Sequence, residues 1–414
     1  MNRTKRIIGI LSAVIIACGS VFAQGPMTPY SRYGYGILND NATSAQRAMG
    51  GVGYAMSSGR QINVMNPASY AAMDSLTFLF DMGITGTALW STEGEESGKD
   101  FGGGLDYVTI QFPICKNVGV SAGLLPYTSV GYAFGSKIDN GSSSRSGNGG
   151  LNQLYVGVGA SPLKGLSVGA NISYLFGTNI NDTYVVTSAG STTLFERVVQ
   201  VRDYHLQFGI QYAYNLNRDN KLTAGLTYSP KKTLLGHAWG VNYDVTSDTE
   251  PDTIGYMSMR NNFSLPDTWG FGVNYQWRDR LILEADFTYQ NWKDAKYTLV
   301  EDPDRMQEFN NRWKFALGGQ FTPRPRGNYV QRINYRLGGY YSNDYLKIGD
   351  NSLREYGLSM GFGLPAPGSK TVINLGFEWK HRQANPNPLI KENYFNITLG
   401  INFNELWFYQ PKIR

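Results

Sequence analysis

Hydrophobic and polar residues alternate strictly along most of the chain from about residue 75 onward. Segments of roughly ten residues follow one another, and stretches rich in turn-forming residues separate them. In the last of these segments, Phe395, Ile397 and Leu399 alternate with the polar Asn396 and Thr398. A period of two predicts β-strands with one apolar face, and no long stretch shows helical periodicity. The chain is therefore predicted to be all-β.

Aromatic residues lie near the ends of the predicted strands, on their apolar faces. Trp269 and Trp277 flank one such strand, and Tyr212 and Tyr214 close another. Aromatic girdles of this kind border the lipid-facing band of transmembrane barrels. A sheet in lipid has to close on itself, because hydrocarbon offers its edges no hydrogen-bonding partner. The pattern therefore favours a transmembrane antiparallel β-barrel over a soluble sandwich.

Short and long connections alternate between the predicted strands. The short turns lie at 113–117, 161–165, 215–220, 278–280, 322–328 and 365–370, and the long polar loops include 91–104, 136–150 and much of 231–266. Such an asymmetry is typical of periplasmic turns and extracellular loops. Six turns and seven loops predict 14 strands, with both termini in the periplasm.

The first residues predict a secretory signal peptide over residues 1–23. The basic start MNRTKR precedes an apolar run, and the small residues before Gln24 form a cleavage site. A lipoprotein site at Cys18 is a weaker alternative. Removing three basic residues lowers the net charge from +5 to 5 − 3 = +2. The remaining charges are interspersed, which gives no reason to expect nucleic-acid binding, and only Cys115 remains after cleavage.

Residues 24–74 do not follow the alternation. This stretch is rich in Gly, Ser, Asn, Met and Tyr. A barrel of 14 strands is wide enough to leave a lumen. We therefore expect residues 24–74 to fold back into the lumen as an N-terminal hatch, and the barrel to occupy residues 75–414.

A proline interrupts the third predicted strand, residues 118–134, in the sequence AGLLPYTSVGYAFG. Proline cannot donate to a sheet ladder, and a neighbouring glycine tolerates a bend. The residues alone leave two readings equally open, a functional gap in the barrel wall and a simple bulge near the rim. The segment expected to bend comprises Gly123, Leu124, Leu125, Pro126 and Tyr127.

Several charged residues have the inward parity of their strands. Mixed signs favour ion pairs that fix the hatch against the wall, and the alternative is a site for a carboxylate head group with Lys314 or Arg336 as its cation. The main candidates are Lys314, Arg336, Glu284 and Asp286, and the same parity includes Asp81, Glu378 and Lys380.

The sequence gives no reason to expect an enzyme. Two Gly-x-Ser-x-Gly matches, at 119–123 and 165–169, lie within predicted strands, whereas a nucleophile elbow needs a strand–turn–helix. No histidine pair has metal-ligand spacing, so no catalytic residue, cofactor or metal is expected. Whether the acidic stretches 248–253 and 301–308 bind calcium stays open, although solvated loops are the simpler interpretation.

Several short motifs resemble the FadL-type family of outer-membrane transporters. The sharpest is Asn66-Pro67-Ala68, directly before the first predicted strand, which is similar to the Asn-Pro-Ala signature of that family's hatch. LPDTWGFGV (265–273) and LEADFTYQNW (283–292) also resemble family segments. SRYGYG (31–36) and the ending LWFYQPKIR resemble members from Bacteroidetes, some of which, of the PorV type, act as partners in protein secretion.

This resemblance implies a hatch that blocks the lumen and a break in the third strand that opens the wall sideways. The function it favours is passive uptake of a hydrophobic small molecule, such as a long-chain fatty acid, across a Gram-negative outer membrane and into its lipids. The alternative is a non-transporting accessory barrel subunit, with envelope proteins as its partners.

Overall fold

The computed structural model describes residues 27–246, 251–300 and 304–406. The expected signal peptide, the terminal aromatics Trp407 and Phe408, and parts of both acidic stretches lie outside these residues.

Fourteen antiparallel strands form a closed barrel, as the alternation predicted. Each strand pairs with the next in the chain, and the last pairs with the first, for example Phe403 with Phe80. The first seven strands are β1 (Thr77–Glu93), β2 (Glu96–Cys115), β3 (Val118–Pro126 and Thr128–Ile138), β4 (Gly141–Leu163), β5 (Leu166–Thr187), β6 (Thr192–Asn215) and β7 (Asn220–Ser229). The others are β8 (Thr268–Trp277), β9 (Leu281–Gln290), β10 (Arg312–Phe321), β11 (Asn334–Ile348), β12 (Asn351–Pro365), β13 (Val372–Asn385) and β14 (Lys391–Leu406).

The two faces of the wall differ as a transmembrane barrel requires. Leu317, Leu358 and Phe271 point outward and are exposed. Polar side chains of the opposite parity, such as Asn274 and Ser359, point inward and are buried. An exposed apolar outer face and a buried polar inner face are the reverse of a soluble protein, so the outer side chains form the lipid-facing band.

The structure differs from the sequence-based expectation for two loops. Apart from two-residue turns at 94–95 and 139–140, residues 91–104 and 136–150 are paired strand rather than loop, and the ladders continue to Glu93–Glu96 and Ile138–Gly141. The tips of such hairpins meet water on both faces, so polar residues can occupy both parities there without breaking the ladder. The long connections expected at one end of the barrel are therefore partly extensions of the strands themselves.

Residues 27–74 form a largely buried segment inside the barrel, which we call the N-terminal segment. Its regular elements are short: 3₁₀ turns at Pro29–Arg32 and Pro67–Ala72, a two-residue strand Ile37–Leu38, and helix α1 (Ser44–Arg47). A second short helix, α2 (Tyr329–Arg332), lies in the turn between β10 and β11. Within the described ranges, no helix is both long enough and apolar enough to cross a membrane.

Extra elements cover the end of the barrel opposite the short turns. The hairpin Gly236–Asp244 and Asp252–Arg260 extends the sheet beside β6. Lys232–Leu234 pairs with Phe263–Leu265 in a separate two-stranded sheet. These elements enclose a buried aromatic core, described below as the aromatic cap.

Candidate functional site: the filled lumen and the open wall

The Asn66-Pro67-Ala68 motif lies buried against the inner wall. The Asn66 side chain caps the following 3₁₀ turn by accepting from the Ala68 N–H (3.0 Å). Its amide group donates to the Tyr54 carbonyl (2.7 Å) within the segment and to the Ile210 carbonyl (3.3 Å) on β6. One side chain therefore joins two parts of the N-terminal segment to the barrel.

Inward-facing wall glycines make room for this motif. A Cβ atom on Gly209 would lie 2.1 Å from Asn66 Oδ1, and one on Gly159 would lie 2.5 Å from the Pro67 carbonyl oxygen. Gly169 faces Pro67 at 2.4 Å in the same way. No larger side chain fits at these distances, so the backbone of the segment rests directly on the backbone of β4, β5 and β6.

Glu284 and Asp286, both on β9, accept hydrogen bonds from the N-terminal segment. Asp286 Oδ2 accepts from the backbone N–H groups of Gly53 (2.7 Å) and Tyr54 (3.0 Å), and Glu284 Oε1 accepts from Ala55 N–H (2.8 Å). Three successive backbone donors are thereby satisfied by wall carboxylates. These two candidates therefore contact the segment.

The structure places the two candidate cations apart. Lys314 Nζ lies 2.5 Å from Asp40 Oδ2 of the N-terminal segment, and Arg312 approaches the same carboxylate at 3.3 Å. Burial opposes the ionisation of Asp40, but these cations outweigh it and hold its pKa well below the usual range. Arg336 instead donates to Gln320 (2.8 Å) and Asn374 (2.7 Å), both on the wall.

Of a second charged cluster in the lumen, sequence reasoning identified only Lys380. Arg382 pairs with Glu355 (2.6 Å) and approaches Glu392 (3.7 Å), while Lys380 lies 3.7 Å from Glu355. Arg382 has the same inward parity as Lys380, and this signal was available. Asp40 carried no comparable signal, because the segment before β1 has no period.

The aromatic cap closes the barrel at the end opposite the short turns. Trp292 is fully buried, and its ring lies 4.3 Å from Tyr345 and 5.7 Å from Phe309, centroid to centroid. Tyr35 of the N-terminal segment enters the same core and donates to the Ser264 carbonyl (3.0 Å). Side chains from distant loops thus meet the N-terminal segment and fill the mouth.

The three cavities described inside the lumen are small, and charged side chains border each of them. Two of about 110 and 100 Å³ both border Asp40 and Lys314, and one of about 210 Å³ borders Arg47 and Arg382. Pockets for small organic ligands are usually about 300–1,000 Å³ and mainly apolar. None of these three cavities reaches that size.

The wall is open beside the β3 break. Below it, β3 pairs with β2 from Val118 up to Leu124, which lies opposite Val108. Above it, Ser129 pairs with Ile37 of the N-terminal segment, and this half of β3 keeps its ladder with β4. Residues 96–107 of β2 therefore pair with β1 alone among the described residues.

The predicted bend residues line this break. Leu124 faces outward and Leu125 is buried in the wall. A Cβ atom on Gly123 would lie 2.5 Å from the Val108 carbonyl oxygen, so a larger residue would not fit here. Pro126 ends the lower half of β3, opposite Asn152. Tyr127 turns inward, where its carbonyl accepts from Asn39 N–H (3.0 Å).

Solved structures share this fold. The P. putida toluene transporter TodX is 14% identical over 90% of this chain and 100% of its own, with a TM-score of 0.62. A Pseudomonas aeruginosa FadL homologue is 12% identical over 90% and 99%, with a TM-score of 0.61. The Ralstonia pickettii toluene transporter TbuX is 14% identical over 88% and 98%, with a TM-score of 0.59. The search of curated proteins finds no match.

These likenesses define the class: the chain has the fold of FadL-type outer-membrane channels, which confirms the resemblance drawn from the sequence. The similar structures are channels and transporters rather than enzymes. The family model that matches residues 4–414 is BamG, and the chain belongs to the BamG family.

Proposed function

We propose that this protein is a sealed, non-transporting barrel that serves as an accessory subunit of an envelope protein assembly in a Gram-negative outer membrane. The observation that carries the proposal is the filled interior. The N-terminal segment acts as a fixed hatch, hydrogen-bonded to the wall at Asn66, Glu284 and Asp286.

Two features of the interior support a structural rather than a conducting role. The aromatic cap fills the mouth, where an apolar solute would have to enter. Below it, Lys314 is already paired with Asp40, and Arg336 has donated to wall amides. Lys314 is therefore not offered to a carboxylate head group in this arrangement, and Arg336 is buried against the wall with one guanidinium nitrogen, Nη2, lacking a hydrogen-bond partner among the described residues.

Passive uptake of a hydrophobic small molecule is the second candidate function. TodX and TbuX are named as toluene transporters, and the wall gap above Pro126 would give an apolar solute a sideways exit into lipid. A route of this kind requires the hatch to leave its wall contacts and the aromatic cap to open. Residues 66–68 would then move away from the glycines on which they rest.

One paired experiment separates the two functions. Tagged protein is purified gently from native membranes after mild cross-linking, and uptake of labelled toluene and a labelled long-chain fatty acid is measured in cells with and without the protein. The proposal expects stoichiometric envelope partners and equal uptake in both strains. Uptake that depends on the protein and falls in a Pro126→Val variant, without stoichiometric partners, would instead establish the transporter.

A further inference from the structure

The unpaired edge of β2 is the most unusual feature of the barrel wall. Every residue from Glu96 to Leu105 has a ladder partner on β1, ending at the pair Glu93–Glu96. On its other side, pairing with β3 stops at Val108. About half of the backbone N–H and C=O groups over residues 96–107 therefore point into the gap, since these groups alternate between the two sides of a strand.

The part of this edge from Phe101 to Tyr107 borders lipid. Leu105 and Phe101 point outward from it, with exposed fractions of 45% and 76%. Leu105, Ile84 and Leu399 form one cross-strand row on β2, β1 and β14, and Leu399 belongs to the lipid-facing band. Backbone groups without partners are costly at this level, because hydrocarbon offers no hydrogen bonds.

The gap has room for a chain. A depression of about 850 Å³ on the outside of the bend is bordered by Leu105 on one side and by Pro126 on the other. Its surface includes the hydroxyl-bearing Ser129 and the backbone of Gly149 and Gly150, while the Thr128 hydroxyl is buried and accepts from Leu151 N–H. Hydroxyl and peptide groups suit another peptide better than an acyl chain, which cannot satisfy them.

The N-terminal segment shows the same chemistry on the other side of the break. Ile37 and Leu38 pair as a short strand with Ser129 and Thr128, and Thr28 N–H donates to the Gly131 carbonyl (2.7 Å). The upper half of β3 has thus exchanged β2 for a substitute strand. The edge of β2 has not been covered in this way by the described residues.

We infer that residues 96–107 of β2 are a docking edge for an extended segment of a partner envelope protein, which adds to the barrel wall as a β-strand. Strand addition supplies the partner's N–H and C=O groups in the alternating order that the edge presents. The inference rests on the proposed accessory function and names the form of the partner's contact.

Site-specific photo-cross-linking in native membranes tests this inference. A benzophenone amino acid replaces Leu105, and in separate variants Gly103 and Phe101. Leu399 is the matched control, because it is similarly exposed (40%), lies in the same cross-strand row, and has both strand edges paired. Retention of the heat-dependent mobility of the folded barrel on gels confirms that each variant folds.

The expected result is a protein adduct at Leu105 and only lipid adducts at Leu399. Mass spectrometry should place the attachment points in one partner segment, shifting by about two residues as the probe moves from 105 to 103 to 101. Lipid adducts alone at both positions, or protein adducts without this register, would overturn the inference. If partners co-purify stoichiometrically but no such adducts form, the docking edge is wrong and the accessory function still holds. If neither partners nor adducts are found, both the docking edge and the accessory function are wrong.

Discussion

The two ends of the barrel interior are filled by the same N-terminal segment but by different interactions. On the short-turn side of the aromatic cap, the segment is held by directed hydrogen bonds, such as those that Asp286 accepts from the Gly53 and Tyr54 N–H groups midway along β9. At the opposite end, ring packing predominates: Tyr35 lies among the rings of Trp292 and Tyr297, and its hydroxyl also donates to the Ser264 carbonyl. Apolar packing excludes solvent but tolerates small shifts, whereas directed hydrogen bonds fix one position.

This difference indicates a division of roles. The aromatic cap closes the mouth, and the polar contacts fix the register of the segment along the wall. In a barrel that conducts solutes, the aromatic cap would have to open and the polar contacts of the segment would have to break. Perturbing the cap and the polar contacts separately therefore tests whether either region can change conformation in the folded barrel.

The largest effect is expected at the aromatic cap. Trp292→Ala should lower the free energy of unfolding of this region by about 3–5 kcal/mol, because the truncation leaves a cavity among packed rings. Hydrogen exchange across residues 291–300 and the heat-dependent gel mobility measure the change. Trp379→Ala is the control, since Trp379 is 40% exposed on the lipid-facing surface. Equal losses in the two variants would mean that the cap is not a separate core.

A smaller effect is expected where the segment rests on wall glycines. Gly209→Val should displace the Asn66-Pro67 backbone at a cost of about 1–3 kcal/mol, since its Cβ would lie 2.1 Å from Asn66 Oδ1. Limited proteolysis with mass spectrometry should then detect cleavage within residues 27–74 of a folded barrel. Gly86→Val is the matched control, because nothing lies within 4 Å of that Cβ. If residues 27–74 resist proteolysis as well in Gly209→Val as in Gly86→Val, the position of the segment does not depend on this close contact.

The smallest effect concerns the Asp40 ion pairs and pH. A lowered pKa in the folded state means that the pairs contribute fully above the ordinary aspartate pKa of about 3.9 and are lost only as pH falls below it. Asp40→Asn should therefore loosen the segment equally at pH 7 and pH 5, as followed by hydrogen exchange. The exposed pair of Asp219 and Arg278 offers a control, in which Asp219→Asn should change little. An effect of Asp40→Asn that disappears by pH 5 would contradict the assigned pairing.

The barrel wall could be predicted from sequence because one rule governs it. Lipid outside and a polar lumen inside impose a period of two, so Leu317 and Leu358 could be placed by parity alone. The aromatic cap could not be predicted in this way. Trp292, Phe309 and Tyr345 come from separate segments that follow no period, and only the closure of the barrel brings them together.

The contacts inside the barrel could be predicted from the sequence only in part. Parity indicated Glu284 and Asp286 as inward-facing, but their partners are backbone N–H groups, which no residue pattern reveals. The register of the open β2 edge was equally hidden, because Pro126 marks the break in β3 but not which neighbouring strand loses its partner.

The hydrogen bond between Thr28 and Glu392, 2.5 Å long, joins residues 364 positions apart. Thr28 belongs to the first part of the chain that the structure describes, and Glu392 opens the final strand. Docking of the N-terminal segment is therefore completed only when β14 closes the ring. Closing the wall and fixing this end of the segment therefore depend on the same strand, and contacts this distant in sequence are expected to form slowly.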